Sequence, residues 1–214
     1  MKFIKNIVIK MKTNISKIIF SLILLFISNT SNGDSPLTST PFSIMYQDIE
    51  IIKSLDKTPG KLTGPCCEFL YNSKNPIDIK MALINKIGFS LNGSDNFTIF
   101  YNFLISHNLD SVTINSSADL MISLSYLKAM DNYFDVQAAF TMSKKATELD
   151  PKNNTIYTIS KLINSQQFIN LDWCKVYNTF YPNTNTPPMD APLRKEASEL
   201  INNYMKNYEK YCKL

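Results

Sequence analysis

From residue 41 to residue 208, apolar side chains recur every third or fourth position, and the strict alternation of a half-buried strand is almost absent. A helix with one apolar stripe buries that stripe against another element, so this period commits the chain to helices packed on helices. Thr40-Pro41 offers a cap and a first-turn proline for a helix over 41–55, with Met45, Ile49, Ile52 and Leu55 on one face. Gly60, Gly64 and Pro65 then break the chain. Asn75-Pro76 opens a second helix carrying Met81, Leu83, Ile84 and Ile87, which stops at Gly88. After a turn at Asn92-Gly93, Ser94 is expected to cap a third, with Phe97, Phe100, Tyr101, Leu104 and Ile105 in the clearest stripe of the protein.

Further helices are expected from Ser116 or Ser117 through Leu120, Leu124 and Leu127, over about 135–149, through Tyr157, Ile159, Leu162 and Ile163, and over 171–180. Residues 181–192 hold four prolines and read as a loop; an amphipathic helix through Leu200, Ile201, Tyr204, Met205 and Tyr208 closes the chain. Only 111–115 hints at a strand. The predicted fold is all-α, built of antiparallel helix pairs, either as an α-solenoid or as a compact helical bundle. With 44% hydrophobic and 12% aromatic residues, the chain has the material for a core without help from a metal or cofactor.

The formal charge of +4 would suit a nucleic-acid or membrane-surface partner, so its location matters. Lys2, Lys5, Lys10, Lys12 and Lys17 precede residue 33, and no acidic residue does. The remainder carries 17 basic against 18 acidic side chains, a net of −1. Residues 18–27, IIFSLILLFI, form an apolar run of ten, short of the roughly 20 that span a bilayer. Lysines before it and Ser31-Asn32-Gly33 after it give the order of a cleavable signal peptide over 1–33, cut before Asp34. Met11 would serve as an alternative start. The expected product is a secreted or periplasmic single domain, 34–214, that meets the membrane only during export and has no nucleic-acid role.

All four cysteines, Cys66, Cys67, Cys174 and Cys212, fall in that domain. Cys66 and Cys67 are adjacent and would strain a mutual bridge. Two readings stay open: bridges from this pair to Cys174 and Cys212, or one Cys174–Cys212 bridge with the pair left over; four buried thiols are the bland alternative. Zinc is poorly served, since C-x-x-C is missing and His107 is the only histidine. Asn92, Asn96, Asn115 and Asn153 sit in N-x-[ST] acceptors, which an Asn-rich chain accumulates by chance.

Residues 120–154 read as a helix, a turn and a helix, and their second half is AFTMSKKATELDP. Ala139 and Ala146 would let two helices approach closely, and Pro151 would end the second before another begins. This unit resembles a tetratricopeptide repeat, with Ala139, Ala146 and Pro151 at its small-residue and terminal-proline positions. The resemblance covers one repeat, and Leu127 stands where the family has a small residue. It implies that 76–107 and 155–180 act as degenerate repeats or caps, and that Tyr126, Tyr133 and Phe134 form a partner-binding surface.

No phosphate loop, GxSxG or GxGxxG occurs, and His107 reads as the C-terminal residue of a helix rather than as a catalytic base. No cofactor, metal ligand or catalytic residue is therefore expected. The first functional expectation is an exported scaffold or adaptor for a protein or peptide. Next comes a carrier of a small apolar or lipid-like ligand, and last an enzyme with a carboxylate-based site. A groove lined by Asn, Tyr and Lys would favour the first, an enclosed apolar pocket the second, and a buried carboxylate pair the third.

Overall fold

The computed structural model describes residues 35–57, 60–89, 94–182 and 190–213. The chain divides into the units Met1–Asp34 and Ser35–Leu214, and all the described residues belong to the second. The expected leader, its cleavage site and the Asn92-Gly93 turn lie outside the described residues.

Ser35–Leu214 is all-α: ten α-helices and no strand occur among the described residues. They are α1 (Glu50–Ser54), α2 (Gly64–Tyr71), α3 (Ile77–Ile87), α4 (Asn96–Ser106), α5 (Ser111–Ser116), α6 (Ala118–Asp131), α7 (Gln137–Leu149), α8 (Asn154–Gln166), α9 (Trp173–Phe180) and α10 (Lys195–Lys206). Short 3-10 turns over Phe42–Tyr46, Leu55–Lys57 and Glu209–Cys212 complete the set.

The centre is α6. Ten of its residues are buried, from Leu120 to Met130, and α3, α4, α7 and α8 all pack on it. Burial on every side suits a helix with apolar residues all round. Its two buried serine hydroxyls are satisfied: Ser123 donates to the Asp119 carbonyl and Ser125 to the Ala139 carbonyl. Ser117 caps the helix, its side chain accepting from Leu120 N at 3.3 Å.

The α6–α7 pair is the most extensive packing in the fold, followed by α7 on α8. Ala139 and Ala146 are both buried, as close helix approach requires, and the Ser143 and Ser160 hydroxyls meet at 3.0 Å across the α7–α8 seam. The chain leaves α7 at Asp150-Pro151, and Asn153 caps α8 by accepting from Ile156 N at 3.1 Å.

Four local expectations are corrected. The helix expected over 41–55 is broken into a 3-10 turn, α1 and a second turn, and Phe42, Tyr46, Ile52 and Leu55 are its buried apolar side chains, while Met45 and Ile49 are half-buried. Gly64-Pro65 does not merely break the chain but starts α2, because a proline in the first turn needs no N–H partner. The strand hint at 111–115 is α5, which Asp110 caps by accepting from Thr113 N at 2.7 Å. Ser94 does not cap α4: its hydroxyl bonds the Asp131 carboxylate, whose other oxygen accepts from Phe97 N at 2.7 Å. The cap of α4 is thus supplied by the last residue of α6. Within the expected stripe, Phe100 and Leu104 are buried, Phe97 and Tyr101 half-buried, and Ile105 is exposed.

Asn96 is 2% exposed and holds the chain around Leu62: its Oδ1 accepts from Leu62 N at 2.8 Å and its amide donates to the Gly60 carbonyl. Arg194 ties the start of α10 to the N-terminal segment. Its guanidinium forks onto Asp48 and reaches the Met45 carbonyl at 2.8 Å, while its backbone N–H donates to the Tyr46 hydroxyl at 2.9 Å. The guanidinium's hydrogen bonds to Asp48 hold that carboxyl below the usual carboxylate range.

Candidate groove around Lys161

A recess of about 220 Å³ opens between α8 and α10. On α8, Asn154, Tyr157, Thr158 and Lys161 follow i, i+3, i+4 and i+7, so helical geometry places them on one face. From α10, Ser198, Ile201 and Asn202 face them, again at i, i+3 and i+4. Phe180, the last residue of α9, closes the wall.

Lys161 is the charged group of the recess. Its ammonium lies 4.4 Å from the Phe180 ring centroid, 5.1 Å from Tyr157 and 5.9 Å from Tyr181. Among the described residues no carboxylate lies within ion-pair distance of it, and 183–189 contains no Asp or Glu. Burial disfavours its charged form and brings its pKa down to about 8.

The neighbouring amides are oriented by hydroxyls. The Tyr181 hydroxyl donates to the Asn202 side-chain oxygen at 3.1 Å and its backbone carbonyl at 3.0 Å. Likewise Thr158 donates to the Asn154 Oδ1 at 3.4 Å. Each amide oxygen is engaged within the fold, and each amide nitrogen is left as a donor. The recess therefore presents an ammonium, two amide donors and the Ser198 hydroxyl.

A second cleft, about 570 Å³, lies among α2, α5 and α6 and is lined by Glu68, Tyr71, Asn72, Thr113 and Asp119. There Lys80, 0% exposed, meets Asp119 at 2.5 Å. The other Asp119 oxygen is buried without a hydrogen-bond partner, and burial raises the carboxyl above its ordinary range despite the lysine.

No protein-family model, curated protein or solved structure matches this chain.

Of the cysteines, Cys174 and Cys212 are bridged, joining the start of α9 to the Glu209–Cys212 turn with a Cα–Cα distance of 4.7 Å. Bridges from Cys66 and Cys67 are not formed: both are buried free thiols on α2, and burial pushes the Cys67 thiol up to about 11. The expected binding surface is divided. Tyr126 is 0% exposed and donates no surface at all, Tyr133 is half-buried, and Phe134 is 72% exposed. Tyr126 instead belongs to the interior because its hydroxyl accepts from the Asn85 amide at 3.0 Å. His107 ends α4, as its position suggested, and its Nε2 lies 3.6 Å from Glu68.

The Lys161 recess was not among the residues singled out from sequence. Asn154, Thr158 and Lys161 do recur at helical spacing, but a polar stripe on an amphipathic helix ordinarily faces water. Nothing local announces that Asn202, about 40 residues on, comes to stand opposite.

Proposed function

We propose that the protein is an exported helical scaffold that holds a protein or peptide partner, with no catalysis of its own. The observation that carries this reading is the recess between α8 and α10, where Asn154, Tyr157, Lys161 and Asn202 outnumber the apolar Phe180 and Ile201. Stacked helix pairs resembling a tetratricopeptide unit supply surfaces of this kind. The paired Asp119 has a lysine beside it rather than a second carboxylate, which gives the enzyme alternative less support.

Export rests on the sequence of 1–33 alone, lysines followed by an apolar run and then small residues. The Cys174–Cys212 bridge fits an oxidising compartment. Among the described residues no helix is long and apolar enough to cross a membrane.

Affinity capture of the exported protein from its native compartment tests the reading, run beside the Lys161→Met variant. A stoichiometric protein partner retained by the native chain and lost by the variant is the expected result. Equal retention by both, or no partner, would count against a scaffold working through this recess. Mass spectrometry of the captured chain should begin at Asp34; a Met1 or Met11 terminus would overturn the leader.

A further inference from the structure

We propose that the recess between α8 and α10 binds a single oxyanionic group, a carboxylate or a phosphate, with Lys161 as its counter-charge and the Asn154 and Asn202 amides as its donors. The inference deepens the scaffold reading and depends on it only for the source of the anion.

Three observations converge. First, Lys161 has no carboxylate partner among the described residues, although burial in the recess strips it of part of its water. Elsewhere in the fold the buried cation Lys80 has its own carboxylate at 2.5 Å, so the unpaired state of Lys161 is a local feature. A cation drawn out of water without a counter-ion costs free energy that an incoming anion recovers.

Second, the donor set is one-sided. Asn202 and Asn154 have both polar ends in principle, yet hydroxyls of Tyr181 and Thr158 occupy their oxygens. Each oxygen thus has a donor already, while no acceptor for either amide nitrogen occurs among the described residues, so the spare capacity leans toward donors, which suit an oxyanion. Third, the recess is small. About 220 Å³ accommodates a carboxylate or phosphate group with a short fragment attached to it, whereas an extended apolar ligand would find only Phe180, Tyr157 and Ile201 to pack on.

The ring faces of Phe180, Tyr157 and Tyr181, with centroids 4.4, 5.1 and 5.9 Å from the ammonium, attract the charge without neutralising it, so a counter-anion is still favoured.

The test uses acetate and inorganic phosphate, each titrated at constant ionic strength against the exported protein, with sodium chloride as control. Amide resonances of Lys161, Ser198 and Asn202 should shift saturably with one or both anions, and acetate against phosphate tells which oxyanion the site takes. Bound anion should also protect Lys161 from amine-labelling reagents in the native chain, a readout that needs no variant. Asn202→Asp keeps an acceptor for Tyr181 while placing a carboxylate beside Lys161, and it should weaken binding about tenfold or more; Lys161→Met should abolish it. No saturable shift and no protection, or shifts that both folded variants retain, would overturn the site. If the anions bind but capture yields no partner, the scaffold reading fails and the oxyanion site stands.

Discussion

Asn85 is held at three corners: its oxygen accepts from Ser43 N, and its amide donates to the Thr40 carbonyl and to the Tyr126 hydroxyl, all at 3.0 Å. Tyr126 was expected on a partner-binding surface, and nothing local announced that its hydroxyl would serve the buried Asn85. Tyr126→Phe leaves a buried amide hydrogen without an acceptor and should lower the unfolding free energy by about 1–3 kcal/mol. Urea denaturation measures this, and an unchanged midpoint would contradict the placement. Lys161 makes a prediction of different sign. Its pKa is about 8 when folded against 10.5 ordinarily, so between those values the unfolded chain binds a proton that the folded chain has released. Raising the pH through that window stabilises the fold. Comparing unfolding free energies at about pH 7.5 and 9.5, the native chain should gain more than Lys161→Met, and equal gains would refute the assignment.

At the level of elements, helices with internal signals were readable and those that borrow a signal from elsewhere were not. Ser117 caps its own helix and was one of two candidates in the sequence, whereas Asn153 caps α8 but was read only as an N-x-[ST] acceptor. The α4 cap comes from Asp131, more than 30 residues away, and no local pattern encodes it. Val112, Thr113 and Ile114 gave 111–115 a strand-like composition, yet Asp110 caps the segment as a helix and only Ile114 is buried. Ala139 and Ala146 were readable because close approach demands small side chains. Ala146→Leu should therefore force α7 away from its neighbours at a cost of about 1–3 kcal/mol, seen as a lower Tm in calorimetry. A Tm at or above that of the native chain would mean that the α7 seam has spare room.

Over the whole molecule, helix class was legible from period alone, but the cysteine pairing was settled only by where the last turn comes to rest. The Cys174–Cys212 bridge closes a loop with a sequence separation of 38 and carries the Trp173–Tyr211 ring contact at 4.4 Å. By chain entropy, replacing both cysteines with alanine should cost about 2–4 kcal/mol. Chemical denaturation and Trp173 fluorescence would report the loss together, and a variant as stable as the native chain would contradict the staple. The buried Asn96 has a consequence for the order of events in the making of the protein. Its side chain is an N-x-[ST] acceptor while the chain is extended and a structural strut once folded. In a compartment that attaches sugars to nascent chains, folding and modification would compete for the same nitrogen. A chain modified at Asn96 first would be unable to close α4 over the loop at Leu62, whereas the exposed Asn115 could carry a sugar without penalty. A host that attaches sugars to this chain would therefore enter its folding yield through one side chain.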